Sequence, residues 1–461
     1  MDSIAFEEEQ GKDFSNRIKT FFKRFKIGEI LRKCNAYKER GIPVLTVFMY
    51  LFCLVFRNRS MYMDMLNDNG VGFGKDTVYR FKNSIHINWL RYTSLLSSTI
   101  IRQAIDPLTS DNRKSAFIID DSLFGRDRSK LVELLARVYD HAHHKYVKGF
   151  RLLTLGWSDG VTFMPVNFCL LSTENKKNRY NEAKEVAKQS YGAMIRGLAQ
   201  TKGTEVLLRL IDEAIEAGIQ AKHVLFDTWF SYPVIWTALK KRGLDTVAMV
   251  KKADNILFKY EGKRLTSKAI YNRSKKRRGR ANYLLSVKVT FGEENLPAKL
   301  VFIRNRNNRS EYLVLVCTDM SLSEEEIIRL YGKRWDIEVF FKTSKSVLKL
   351  TDECRSISYD AMCAQAAIVF TRYMFLALQM REDKDLRTAG PLFCLVSDEL
   401  ADISFTEALE KIELFLEKLL HGLNVTREDM EIFFNELKDG LPKEIANFLD
   451  FSCSKAALAS L

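Results

Sequence analysis

Five residues of a single 15-residue stretch have the types and spacing for phosphate chemistry: Tyr331-Gly-Lys-Arg334-Trp-Asp-Ile-Glu338-Val-Phe-Phe-Lys342-Thr-Ser-Lys345. An α-helix advances about 100° per residue, so Tyr331, Arg334, Glu338, Lys342 and Lys345 fall within roughly an 80° arc. One carboxylate is then bracketed by cations and a phenol. A carboxylate among phosphate-binding groups suits a metal-dependent enzyme acting on a nucleic-acid backbone. The same spacing also describes a solvated helix stapled by Arg334–Glu338 and Glu338–Lys342 pairs, each worth a few tenths of a kcal/mol. More acids are needed to decide.

Two segments supply them. Ala116-Phe-Ile-Ile119 is a short β-branched run ending in Asp120-Asp121-Ser122, and His223-Val-Leu-Phe226 runs into Asp227-Thr-Trp-Phe230. Ligands of open α/β sheets bind beyond the carboxyl ends of the strands, which projects both aspartates into one crevice. A single strand-end aspartate explains little, because Ser122 and Thr228 suit a helix or turn cap equally well. Three gathered carboxylates repel one another unless cations sit between them. Hard divalent ions such as Mg²⁺ match, since they take oxygen ligands and share their shell with phosphate oxygens.

The elements that must position these acids can be read from periodicity and turn residues. Residues 14–110 read as helices: a basic amphipathic one (Phe14–Arg32), an apolar one (Ile42–Phe56), then Lys75–Lys82 and an aromatic-rich helix from Ile87 to about Arg102. Short helices between glycine turns, with Arg80 and Lys82 outward, fit either a helix-turn-helix-like DNA reader or an ordinary helical bundle. Phe150–Trp157 and Val161–Leu171 read as a hairpin about Ser158-Asp159-Gly160, with Pro165 marking a bulge or an edge. A helix over Glu205–Ala217 ends at Gly218, and one over Pro233–Arg242 ends at Gly243. Strand, hairpin, helix, strand, helix is the order of a ribonuclease-H-like core, an order shared by many other α/β folds. Strands are expected at Thr246–Lys251, Leu284–Thr290, Leu300–Arg304 and Tyr312–Thr318, and helices return over Ser323–Lys345 and the apolar Tyr359–Arg381.

Composition sets outer bounds. The 461 residues, 46% hydrophobic, suffice for several cores. Net charge is +14, but residues 398–461 carry 14 acids against 6 bases, leaving +22 on the rest. A basic body with an acidic tail points to a polyanion, most simply nucleic acid. The eight cysteines form no CxxC pair and sit mostly in apolar runs, as buried free thiols of a reducing cytoplasm do. The acidic start MDSIAFEEEQ is unlike a secretory signal, and the run from Ile42 to Phe56 is shorter than the ~20 residues a bilayer needs. The expectation is a cytoplasmic protein with no membrane partner.

Asp-Asp-Ser on a first strand, Phe-Asp-Thr-Trp-Phe on a later one and Tyr-x2-Arg-x3-Glu-x6-Lys on a helix resemble a DDE transposase, more narrowly one of the bacterial insertion-sequence-4 family. The resemblance spans roughly Ser115 to Arg381. It implies an α/β fold with a ribonuclease-H-like catalytic core (111–243 and 319–381) and a β-rich insertion (244–318). Helical regions flank these, an N-terminal DNA-binding one (1–110) and an acidic C-terminal one (382–461). It implies Asp121, Asp227 and Glu338 as catalytic metal ligands for two Mg²⁺ or Mn²⁺ ions. Asp121 is preferred to Asp120 because the family's first aspartate directly precedes Ser or Thr, although strand alternation can exchange the two. Tyr331, Arg334 and Lys345 would hold transposon-end phosphates, with Lys342 beside them, and an aromatic of the insertion, here Tyr260, Tyr271 or Tyr283, would hold a flipped base. The implied reaction is two-metal hydrolysis and transesterification of DNA, cut-and-paste between terminal repeats and a target, by a homodimer on paired ends. A nuclease of the same fold, or an inactive DNA-binding descendant, are the alternatives.

Two further clusters complete the reading. Lys275, Lys276, Arg277, Arg278 and Arg280 place five cations in six residues, at a turn tip suited to DNA backbone contact. The HAHH tract (His141, His143, His144) lacks a completing Cys or acid cluster and reads as surface or DNA-facing imidazole.

Overall fold

The computed structural model describes residues 16–56, 60–66, 72–109, 113–140, 143–277, 282–305 and 311–382. The acidic helical region expected beyond residue 382 lies outside these, as do His141, Arg278 and Arg280. The chain divides into two units, Met1–Pro391 and Leu392–Leu461, and the described residues all lie in the first.

The described chain opens in helices: α1 (residues 16–24), α2 (Ile27–Lys33), α3 (Val44–Leu54), α4 (Met61–Leu66), α5 (Lys75–Lys82) and α6 (Trp89–Ile100). The single helix expected over Phe14–Arg32 breaks at Lys26, whose φ of 50° is left-handed. Aromatic side chains join these helices into one core, with Phe22 on Phe52 at 5.1 Å and Phe48 on Tyr92 at 5.4 Å between ring centroids. α13 (Tyr359–Glu382) packs among them, Phe375 meeting Phe21 at 5.3 Å. It is the one described helix apolar and long enough to cross a membrane, yet 83% of its apolar window is buried inside the protein, as expected of a core helix. Lys82 does not face outward as expected. Val78, Phe81 and Lys82 share one face of α5, and burying the first two carries the Lys82 ammonium to Gln365 Oε1 of α13 at 3.1 Å.

Eleven described strands make one sheet: β1 (Ala116–Gly125), β2 (Ala136–Asp140), β3 (Lys145–Ser158), β4 (Phe163–Leu171), β5 (His223–Phe226), β6 (Asp245–Met249), β7 (Leu257–Tyr260), β8 (Lys263–Thr266), β9 (Leu285–Phe291), β10 (Leu296–Arg304) and β11 (Tyr312–Cys317). β1 lies between antiparallel β3 and parallel β5, and β5 is parallel to β6. An antiparallel meander followed by parallel strands is the ribonuclease-H-like arrangement. Helices α7 (Tyr191–Ala199), α8 (Gly203–Glu216), α9 (Pro233–Lys241), α11 (Glu324–Gly332) and α12 (Trp335–Ser346) surround this part, and α10 (Ser267–Arg273) follows β8. All nine positions of β4 are buried. The hairpin turn forms where expected: Gly160 has φ 91°, and buried Asp159 accepts the Val161 and Thr162 amides at 2.9 and 2.8 Å. Beside Pro165 the register slips, Leu155 pairing with Asn167 and Gly156 with Pro165, so Val166 is bulged.

The strands after residue 244 join the same sheet, β6 pairing with β5 and β11 with β6. Two elements differ from expectation. β1 does not stop at Ile119; β3 supports it as far as Gly125, so Asp120 and Asp121 sit within a strand. The helix expected over Ser323–Lys345 tightens at Lys333 and Arg334, where amides bond three residues back (Arg334 to Tyr331 at 3.0 Å, Asp336 to Lys333 at 3.1 Å), dividing α11 from α12.

Candidate active site

Pairing between β1 and β5 ends at Ile118 and Leu225, with partners 107 positions apart, while β1 continues along β3. At the same offset Asp120 stands level with Asp227, just past the end of β5. Side chains alternate along a strand, so Asp120 and Ser122 face one side of β1, Asp121 and Leu123 the other. The contacts follow that alternation.

On the first side Arg334 joins two acids. Its Nη1 donates to Asp120 Oδ2 at 2.8 Å and its Nη2 to Glu338 Oε1 at 2.7 Å. Lys333 and Arg334 keep helical backbone angles through the tight step, so Tyr331 stays on the same side; its ring lies beneath the guanidinium, 6.0 Å from centroid to Cζ. From the far end of α12, Lys345 Nζ donates to Ser122 Oγ at 2.7 Å. Lys342 is exposed on the same helix. On the other side of β1, Asp121 is held by the fork of Arg151, Nη2 donating to Oδ1 at 2.6 Å and Nε to Oδ2. Arg151 also bonds the Tyr139 carbonyl at 3.0 Å. Asp227 Oδ1 accepts the Trp229 amide at 2.8 Å.

The electrostatics are strained. Burial first, then the charges of Asp227 and Asp121, push the Asp120 carboxyl up to about 7 against the pull of Arg334. Burial and Asp121 raise Asp227 likewise, opposed by its Trp229 hydrogen bond and Arg334. Burial pushes the Tyr331 phenol up to about 12. Burial works against the Arg334 charge, but Tyr331, Asp120, Glu338 and Asp227 more than offset it. Among the described residues, the buried Tyr331 Oη and Arg334 Nε meet no hydrogen-bonding group at bonding geometry. Buried polar atoms without partners are uncommon, and here two lie beside crowded acids.

Among the described residues, no three His, Cys, Asp or Glu side chains stand at metal-holding spacing; the acids gather on a guanidinium instead. Their donor chemistry nevertheless fits a hard cation: all oxygen, with Asp120 and Asp227 both raised by burial and by neighbouring acids.

Other expected groups lie apart from this pocket's hydrogen bonds. Lys276 Nζ rests over the Tyr271 ring at 4.7 Å and Arg277 over Tyr283 at 4.5 Å, while Lys275 is exposed just after α10. Tyr271 is itself stacked on Tyr312 at 3.9 Å. His143 Nδ1 lies 2.8 Å from Asp140 Oδ2, an exposed ion-pair geometry rather than a metal site. Sequence reasoning missed Arg151. Its signal was present, one charge inside the apolar run Phe150-Arg-Leu-Leu-Thr-Leu.

The family described as "DDE superfamily endonuclease" matches residues 45–294, a stretch that includes Asp120, Asp121 and Asp227 and ends before Glu338. Seven solved chains match. One, described as a piggyBac transposase synaptic complex with hairpin DNA seen by cryo-EM, is 14% identical at a TM-score of 0.43, over 82% of this chain and 79% of that one. No curated protein matches. Since the family match spans just over half of the sequence, the chain belongs to the DDE endonuclease superfamily.

Proposed function

We propose that the protein is a DNA transposase that cuts and joins DNA strands, with Asp120, Asp227 and Glu338 as its metal-holding acids. The observation that carries this reading is the Arg334 fork, which ties Asp120 to Glu338 beside Asp227. Asp120 takes the place that the motif alone gives to Asp121, because Asp121 is bound by Arg151 on the opposite side of β1. When bound, Mg²⁺ or Mn²⁺, two ions by the family resemblance, would polarise the phosphoryl group and make water or a DNA 3′-hydroxyl nucleophilic.

The chain's own residues do the rest. Arg334 holds the acids' charge in check, and its planar fork suits two phosphate oxygens once a cation takes over that role. Lys345 adds a point charge on the same side. Tyr331 offers a buried hydroxyl, already stripped of water, to an arriving phosphate oxygen. The Tyr-Arg-Glu-Lys spacing supports the narrower insertion-sequence-4 assignment, and with it two copies of the chain on paired terminal repeats.

The test is nicking of supercoiled plasmid with Mg²⁺. Asp120→Asn should lower the rate at least ~10³-fold, while Asp121→Asn keeps readily measured nicking. An inactive Asp121→Asn beside an active Asp120→Asn overturns the assignment. Joining of a pre-cut 3′-hydroxyl end separates a transposase from a nuclease that only hydrolyses.

A further inference from the structure

β3, which pairs with the acid-bearing β1, begins in a two-stranded ribbon with β2, where its residues 145–149 pair with Ala136–Asp140. Arg137 pairs directly across with Lys148, and Tyr139 with Tyr146, so all four side chains share one face. The Arg137 guanidinium lies 4.0 Å over the Tyr146 ring, and Tyr146 meets Tyr139 edge-on at 5.1 Å. Lys148 Nζ lies 5.0 Å over the ring of Tyr180, which the Tyr180 amide bond to the Leu135 carbonyl holds beside the ribbon. The row reads Tyr180, Lys148, Arg137, Tyr146, Tyr139, with Tyr146 59% and Tyr180 50% exposed.

This arrangement has a cost and no internal remedy. Like charges directly opposed on neighbouring strands destabilise a sheet. Among the described residues, neither Arg137 nor Lys148 has a carboxylate partner; Asp140, the acid of β2, is turned to His143. An external polyanion relieves the repulsion, and the tyrosine hydroxyls add donors suited to phosphate oxygens. The position fits too. Thr154 of β3 lies opposite Asp120, and Lys148 is six residues along the same strand, ~20 Å away. That span equals roughly six base pairs of duplex.

Resting on the DNA-cutting function above, we propose that this ribbon face binds the sugar-phosphate backbone of duplex DNA as it leaves the cleavage pocket. The experiment measures binding of a fluorescein-labelled 30-base-pair mixed-sequence duplex by anisotropy between 50 and 200 mM NaCl. The Arg137→Gln/Lys148→Gln variant should bind roughly tenfold more weakly or worse, with a log–log salt slope shallower by about 1.8, two phosphate contacts. Arg137→Gln alone, at a solvent-facing position, should give about half that change in slope. Both variants should nick plasmid more slowly at limiting protein, in step with their weaker binding. Unchanged slope and affinity in both variants overturn the ribbon proposal, and leave the cleavage assignment intact if wild-type protein binds and nicks. Wild-type protein that neither binds nor nicks DNA overturns both.

Discussion

β5 is four residues long, yet its two ends treat acids in opposite ways. At the start, buried His223 sets Nε2 3.0 Å from Asp319 Oδ2. Asp319 also takes Lys222 at 2.8 Å and the Ser321 amide at 3.0 Å, and although burial would raise its carboxyl, these donors hold it far below the usual range. Asp245 beside it accepts from Lys240 and from Thr318 Oγ1 at 2.8 Å. At the finish, Asp120 and Asp227 are both raised, one guanidinium serves several acids, and Tyr331 Oη meets only the Arg334 guanidinium, outside bonding geometry, among the described residues. The first end gives each of its acids a cation, even though buried His223 Nδ1 and Thr246 Oγ1 find no partner among the described residues. The second is left short of positive charge and of donors, which is the state a site needs if a ligand is to supply them.

The contrast can be broken from either side. Removing the acid at the satisfied end should do the most damage. Asp319→Ala strands buried His223 and the Ser321 amide, and should cost ~2–4 kcal/mol in urea melts while nicking per folded molecule holds. The opposite sign is expected at the strained end. A carboxyl at about 7 in the folded chain, against about 4 unfolded, loses its proton first in the unfolded state. Stability therefore falls as pH rises from about 4 to about 7. Asp120→Asn should raise stability at pH 7.5 by on the order of 1 kcal/mol, and the gain should vanish near pH 4. A destabilised Asp120→Asn at pH 7.5 would remove the contrast. The smallest effect concerns His223, whose pKa burial lowers despite Asp319. The unfolded histidine then takes a proton more readily, so stability drops as pH falls below about 6.5, by at most ~1.4 kcal/mol per pH unit. His223→Gln should flatten that part of the curve.

Much of the scaffold was legible because its signals are local. An apolar run into Asp227, the proline opening α9 and the glycines at 218 and 243 each mark an element boundary without reference to distant residues. The hairpin turn and the bulge beside Pro165 are of the same kind. What stayed hidden depends on partners. β1 is longer than its apolar run because β3 carries it, and Asp120 and Asp121 fall to opposite sides of the strand, one against Arg334 and the other against Arg151, a phase set by partners distant in sequence. The five residues of β2, Ala-Arg-Val-Tyr-Asp, are too short and too polar to announce a strand on their own. The division between α11 and α12 leaves the helical pattern nearly unbroken, so periodicity passes over it.

That tight step at Lys333 and Arg334 sets the phase of everything after it. One residue inserted there would rotate α12 by about 100° and swing Glu338 off the side that Arg334 shares with Asp120, with composition and net charge scarcely altered. Spacing is therefore the heritable quantity at this joint, more than the chemistry of the residues that occupy it.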